Sequence, residues 1–178
     1  LAQASFQELE GQSAEAWAGQ PYALEDEAAA REVLYRRYAA VVGNPPYITV
    51  KDKVLRDRYR EHYRSAFREY SLGVPFTERF FQLARAEGRI GMITANSFMK
   101  REFGKKLIEE FLPRIDLTYV IDTSGAYIPG HGTPTVILFG PPRAPVSPEV
   151  RAVLGIQGEP GTPEQPAQGK VWRSIVEH

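Results

Sequence analysis

The chain has 178 residues, of which 43% are hydrophobic and 25% are charged, which suits one globular domain and excludes a disordered or fibrous chain. Its 22 Lys and Arg residues balance 22 Asp and Glu residues, so any strongly basic surface must be local. The absence of cysteine excludes disulfides and thiolate metal sites and fits a reducing compartment. No signal pattern opens the chain and no apolar run reaches the ~20 residues that cross a membrane, which favours a cytoplasmic protein.

The first predicted elements are a helix and two strands. Residues 1–23 are polar, have no clear period and are expected to be a linker or a truncated end. Acidic residues at the start and basic residues at the end predict a helix over 24–38, because these charges complement the helix dipole. Apolar runs predict strands at 39–43 and 89–98, the second of them covered on both faces.

Amphipathic segments and further strands follow in alternation. The segment 51–70 interleaves basic residues with aromatic rings that share one face of a predicted helix. Further helices are predicted between Pro75 and Gly88 and over 103–112. Strands are predicted at 117–124 and 133–140, and they are joined too closely for a helical crossover, so they should be antiparallel. The alternation predicts an α/β sheet covered by helices.

The carboxyl-terminal part differs in composition. Residues 143–178 are rich in proline and glycine and are expected to be a tail or a boundary to a missing region. Within this part, residues 170–176 suggest a last strand.

The turn Asn44-Pro45-Pro46-Tyr47, which ends the first strand, is the leading candidate site. Ligands of open α/β sheets bind outside the carboxyl ends of the strands, and two prolines stiffen this turn. The Asn44 side-chain oxygen and the Pro45 carbonyl can accept both N–H bonds of a planar amine and draw its nitrogen towards a tetrahedral, reactive geometry. Tyr47 can stack on the attached ring. The alternative is an ordinary Asn-Pro turn beside a packed tyrosine.

Together with "GRIGMITANSF" (88–98) and "YVIDTSGAYIPGHGTPTVILFG" (119–140), this turn resembles part of a known enzyme family. The family is the adenine-specific DNA N6-methyltransferases, above all the PglX-type enzymes of phage-defence (BREX) systems and the related restriction-modification enzymes. The resemblance assigns residues 24–142 to the carboxyl-terminal half of the catalytic domain. It implies a partial Rossmann-like, S-adenosylmethionine-dependent methyltransferase fold, mostly parallel with an antiparallel final strand.

The resemblance also implies a site and a reaction. An adenine flipped out of DNA would receive a methyl group from S-adenosylmethionine by direct displacement, with no metal. The implied catalytic residues are Asn44, Pro45 and Tyr47, and the implied substrate contacts are Pro46, Ser97, Phe98 and Tyr127.

The glycine-rich turn that holds the cofactor in this family has no counterpart before residue 39. The pair Gly130 and Gly132 precedes a strand and opens no helix, so it does not fit a nucleotide loop. The cofactor-binding residues therefore stay unassigned, and we expect a fragment without the N-terminal cofactor lobe and the specificity region. Because the reaction depends on proximity, such a fragment should be inactive alone.

Two other functions stay open at this point. A protein glutamine methyltransferase would use a similar turn, because a glutamine amide also presents a planar NH₂ group. A non-catalytic module that binds DNA or a partner would need no cofactor turn. Basic residues in 51–70 and in 100–106 suit contacts with DNA phosphates. A solvated face with internal ion pairs explains those in 51–70 equally well, and a solvated face is the favoured interpretation for those in 100–106.

Overall fold

The computed structural model describes residues 21–130, 132–155 and 158–177, with side chains described from residue 28 onwards. The described residues divide into two compact units, one that ends at Arg36 and one that begins at Arg37. In the first unit, helix α1 spans Pro21–Tyr35 and begins earlier than the predicted helix. Proline is favoured in the first turn of a helix because it has no N–H to leave unpaired there.

The second unit is built on a five-stranded sheet in the order β1-β2-β4-β3-β5. The strands are β1 (Tyr38–Gly43), β2 (Ala84–Ala95), β3 (Tyr119–Asp122), β4 (Thr135–Gly140) and β5 (Arg151–Leu154). β1 is parallel to β2 and β3 is parallel to β5, while β4 is antiparallel to both β2 and β3. The predicted α/β fold, mostly parallel with one antiparallel strand, is confirmed.

The antiparallel strand β4 is the final strand predicted within residues 24–142, but the observed sheet has a further strand beyond it. β5 pairs with β3 and lies within the segment that we expected to be a tail or a boundary. β1, β2, β3 and β5 run in the same direction, so their carboxyl ends meet at one edge of the sheet. We call this the carboxyl edge, and it is followed by residues 44, 96, 123 and 155.

The predicted helix over 51–70 is shorter in the structure. Helix α2 spans Lys53–His62, and Asp52 caps its start by accepting a hydrogen bond from the Leu55 amide at 2.6 Å. The helix cannot continue past Tyr63, because the backbone N–H and the hydroxyl of Ser65 both donate to the buried carboxylate of Glu78. Helix α3 then spans Gly73–Leu83 and leads directly into β2.

The predicted helix over 103–112 is replaced by short helical pieces. They are 3₁₀ turns at Asn96–Met99 and Glu102–Gly104, a π-helical turn at Leu107–Phe111 and a 3₁₀ turn at Leu112–Arg114. A Cβ atom on Gly104 would lie 1.8 Å from the Phe98 carbonyl oxygen, so only glycine allows this close approach.

The strand suggested at 170–176 was wrong, because helix α4 spans Lys170–Glu177. The carboxylate of Glu159 accepts hydrogen bonds from the Lys170 and Val171 amides at 2.9 and 2.7 Å. These are first-turn N–H groups, which have no partner inside a helix, so the remote cap favours the helix.

The buried core forms two clusters. The larger one contains Tyr70, Val74, Met92, Leu107, Val136 and Leu138. The smaller one contains Phe81, Ala84, Ile90 and Ile115. Among the described helices, none combines the length and the hydropathy that crossing a bilayer requires.

Candidate active site

The turn 44–47 leaves the sheet at the carboxyl end of β1. Gly43 precedes it, and a Cβ atom there would lie 2.9 Å from the edge of the Phe80 ring on α3. Pro45 is buried, Tyr47 is half-buried and Asn44 is exposed. The proline therefore anchors the turn while the Asn44 amide stays accessible to a ligand.

A hydrogen bond inside the turn orients the Asn44 amide. The Tyr47 hydroxyl donates to Asn44 Oδ1 at 2.5 Å. Burial raises the pKa of the Tyr47 hydroxyl. The hydroxyl therefore remains a donor at neutral pH. Oδ1 keeps a second lone pair that can accept a hydrogen from a ligand.

The chain after the turn is fixed to the segment that precedes α3. The Leu72 amide donates to the Ile48 carbonyl at 2.8 Å, and Thr49 forms an isolated antiparallel bridge with Ser71. These backbone contacts hold the turn from its carboxyl-terminal side.

The predicted substrate contacts Ser97 and Phe98 lie in the 3₁₀ turn that follows β2. β1 and β2 are neighbours, so this turn and the turn 44–47 leave the same edge of the sheet, although β2 continues to Ala95 beyond the pairing of Gly43 with Met92. Ser97 is half-buried at the carboxyl edge, and its carbonyl accepts hydrogen bonds from the Lys100 and Arg101 amides. Phe98 is only 5% exposed and packs in the larger core cluster, so its side chain anchors this 3₁₀ turn to the core.

Tyr127 lies on the same edge but farther along it. It follows β3, which is three strand positions from β1, so the ends of the two strands are about 14 Å apart. Tyr127 is half-buried, and its carbonyl accepts a hydrogen bond from the Trp172 indole N–H at 3.3 Å. The loop that carries Tyr127 is thereby tied to α4.

A polar network that sequence reasoning missed connects the loops after β2 and β3. The side chain of Asn96, which is buried, donates to the Ser124 hydroxyl at 2.8 Å, and the Ser124 amide donates to Asp122 at 2.9 Å. Beside it, the buried hydroxyls of Thr123 and Thr135 share a 2.7 Å hydrogen bond. A buried amide needs such partners. The one signal available was an asparagine directly before the predicted contact Ser97.

The described residues do not form a cradle for S-adenosylmethionine. Among them, no helix opens on a glycine-rich turn after a strand. Gly130 adopts a φ of 69°, which favours glycine. A Cβ atom on Gly130 or Gly132 would meet nothing within 4 Å, so neither glycine is needed for a close contact with the rest of the described chain. Within the same described ranges, no group of three or more metal-binding side chains is placed to hold an ion.

A mostly parallel sheet with one internal antiparallel strand and a polar turn at its carboxyl edge defines an α/β fold with a candidate ligand site at its strand ends. The chain belongs to the family of the Eco57I restriction-modification methylase, whose model matches residues 5–128. The resemblance inferred from the motifs is thus confirmed.

Individual relatives are much longer than this chain. Over 167 residues the chain is 57% identical to the adenine-specific methyltransferase PglX of Streptomyces coelicolor. The matched region covers 88% of this chain and 14% of that protein. Over 89 residues the chain is 30% identical to the type II methyltransferase M.BstVI of Geobacillus stearothermophilus. This matched region covers 48% of this chain and 16% of that protein.

A similar solved structure is that of the ATP-dependent type ISP restriction-modification enzyme LlaBIII bound to DNA. The TM-score is 0.51 at 14% sequence identity, over 74% of this chain and 11% of that chain. This likeness concerns the fold.

Proposed function

We propose that this chain is the base-holding part of a site-specific DNA adenine N6-methyltransferase of the PglX type, in a phage-defence or restriction-modification protein. The observation that carries the proposal is the turn 44–47, in which Tyr47 orients the Asn44 amide at the carboxyl edge. Membership of the methylase family and the similarity to an adenine-specific relative support it.

The turn can activate the exocyclic amine of an adenine. Asn44 Oδ1 accepts one N–H through its second lone pair, and the Pro45 carbonyl accepts the other. Two acceptors that lie off the plane of the base favour a tetrahedral nitrogen, whose lone pair is then free to attack a methyl group. The same two oxygens stabilise the positive charge that develops on the nitrogen, because they are held in place before the reaction begins.

The other predicted residues hold the base. The Tyr47 ring would stack on an adenine flipped out of the duplex, and Pro46 would keep the turn rigid. Ser97 and Tyr127 would border the base, and Phe98 would support Ser97 from the core. We assign this role to residues 24–142 as one half of a catalytic domain.

S-adenosylmethionine would supply the methyl group. We propose that segments outside the described residues hold this cofactor and read the DNA sequence, since the relatives are several times longer than this chain. DNA is then the substrate and the main partner, and a location in the cytoplasm, with the DNA, belongs to the same proposal.

A chimaera tests the proposal directly. Residues 38–142 replace the matching segment of the Streptomyces relative, and methyl transfer to adenine in duplex DNA is measured. We expect Asn44→Ala to lower the rate by about 100-fold or more, because one preorganised polar partner of the transition state is lost. Asn44→Asp keeps an oxygen acceptor and should lose less.

The same assay distinguishes the alternatives. Equal rates for the Asn44→Ala chimaera and its parent would contradict the proposed role of the turn. Transfer to a glutamine-containing peptide in place of DNA would favour the protein methyltransferase. DNA binding without any transfer would favour the non-catalytic module.

A further inference from the structure

The fold brings together two basic clusters that are separate in the sequence. The first extends from Arg60 in the last turn of α2 to Arg68, and the second, with Lys106, follows the 3₁₀ turn at Glu102–Gly104. They line one pocket of about 600 Å³, whose charged and aromatic residues are Arg60, Arg64, Phe67, Arg68, Lys106 and Glu110. We call this the basic pocket.

An aromatic ring joins the two clusters. The ammonium of Lys106 lies 5.4 Å from the centroid of the Phe67 ring, and the guanidinium of Arg68 lies 5.5 Å from it. Cations at these distances are attracted to the ring face. Basic side chains around an aromatic ring are typical of surfaces that follow a nucleic-acid backbone.

Part of the positive charge in the pocket is uncompensated. Arg68 pairs with Glu102 at 2.5 Å, and Arg60 pairs with Asp57 at 2.7 Å. Within the described part of the chain, neither Arg64 nor Lys106 forms an ion pair. Since exposed ion pairs are weak, an incoming phosphate can also replace the carboxylate partners of Arg60 and Arg68.

The backbone that presents these side chains is held in place. Ser65 donates from its amide and its hydroxyl to the buried carboxylate of Glu78, at 3.0 and 2.7 Å. Arg68 has a φ of 55°, which is uncommon for a residue other than glycine, and its carbonyl accepts a hydrogen bond from the Arg60 guanidinium. The pocket is therefore built by tertiary contacts and does not depend on a free loop.

A short segment of chain connects the basic pocket to the residues that follow the turn 44–47. The segment that carries Phe67 and Arg68 ends at Leu72, whose amide donates to the Ile48 carbonyl, one residue after Tyr47. The next residue, Gly73, lies against Thr94 near the carboxyl end of β2, since a Cβ atom there would be 2.6 Å from the Thr94 hydroxyl. The segment that leads from the basic pocket therefore ends at the carboxyl edge.

We propose that the basic pocket binds backbone phosphates of the DNA next to the target adenine, with Arg64 and Lys106 as the principal contacts. The inference rests on the proposed function for the identity of the anion. Phosphates held here would orient the duplex relative to the turn 44–47 without reading its sequence.

The test compares two variants that remove the same charge. Arg64→Gln with Lys106→Gln empties the pocket of its unpaired cations. Arg85→Gln with Arg114→Gln is the matched control, because both arginines are exposed and lie near the amino ends of β2 and β3, away from the carboxyl edge. Binding of a fluorescein-labelled duplex to the 178-residue chain is measured by anisotropy over a range of NaCl concentrations.

Each phosphate contact contributes about 0.9 to the steepness with which the logarithm of the association constant for DNA falls with the logarithm of the salt concentration. The pocket variant removes two such contacts, so the magnitude of its slope should be smaller by about 1.8. The control should keep the slope of the unsubstituted chain. An unchanged slope in the pocket variant would overturn the proposal, and so would an equal loss in both variants or no binding by the unsubstituted chain.

The methyl-transfer assay on Asn44 is a separate readout. A loss of slope in the pocket variant alone supports phosphate binding whatever the outcome for Asn44. Normal transfer by the chimaera together with an unchanged slope would overturn the pocket and leave the proposed function intact.

Discussion

Tyr47 contributes to the turn 44–47 through both its ring and its hydroxyl. The half-buried ring fixes the end of the turn, and the hydroxyl orients the amide of Asn44. Because burial raises the pKa of Tyr47, the folded state favours the protonated hydroxyl. The hydrogen bond is therefore fully present below the ordinary tyrosine pKa of about 10, and it is lost only as the pH rises through the higher pKa of the folded state.

This assigns different outcomes to two substitutions of Tyr47. Tyr47→Phe keeps the ring and should lower methyl transfer by the chimaera by about tenfold, the equivalent of one modest hydrogen bond. Tyr47→Ala also removes the stacking surface and should lose more. The ratio of the Tyr47→Phe rate to the parent rate is measured between about pH 6.5 and about pH 9 and should stay constant, since the hydroxyl does not ionise in that range. A ratio that changes with pH would contradict this account.

Among the elements, the segment from Asn96 to Gly104 shows how a loop of the candidate site is supported from the core. Phe98 inserts into the larger cluster, and the chain turns back so closely that Gly104 meets the backbone of Phe98. The Asn96 amide then ties this segment to Ser124 in the loop after β3. Ser97 is held between these two anchors, which fixes its position at the carboxyl edge.

Gly104→Ala should therefore destabilise the protein, because its Cβ atom would clash with backbone that cannot move without displacing Phe98. We expect a loss of about 1–3 kcal/mol in the free energy of unfolding, measured by urea denaturation. The matched control is Gly132→Ala, which adds the same methyl group where nothing lies within 4 Å. Its effect should stay within about 0.5 kcal/mol. Similar losses for both variants would mean that the close approach at Gly104 does not matter.

In the whole molecule, the proposed function assigns to the described residues one side of a reaction that needs two. In this proposal the turn 44–47 would hold the nucleophile and the basic pocket would hold the DNA backbone. No glycine-rich cradle for the methyl donor occurs in the ranges that the structure describes. Since proximity of donor and acceptor accounts for much of the rate, the base-holding residues alone should not catalyse transfer.

Calorimetry with S-adenosylmethionine tests this division. We expect the 178-residue chain to release no heat beyond dilution and to transfer no methyl group to duplex DNA. The Asn44→Ala variant, as control, should behave in the same way. Micromolar binding by the unsubstituted chain would show that it contains a cofactor site that the described residues do not reveal.

The amino-acid sequence by itself determined the class of fold and the position of the main candidate site. Apolar runs identified the strands β1 to β4, and the short connection before β4 determined that it is antiparallel to β3. Two prolines after the first strand identified the turn 44–47. These features depend on residues close together in the chain, so local patterns were sufficient to predict them.

Only the tertiary structure decided the features that depend on distant partners. Helix α2 ends early because Glu78 takes the amide of Ser65, and residues 170–177 form a helix because Glu159 caps their first turn. The basic pocket exists because Lys106 reaches Phe67 across the fold. The periodicity of a segment reports which of its faces is apolar, but it carries no information about a hydrogen-bond donor, acceptor or charge that comes from elsewhere in the chain.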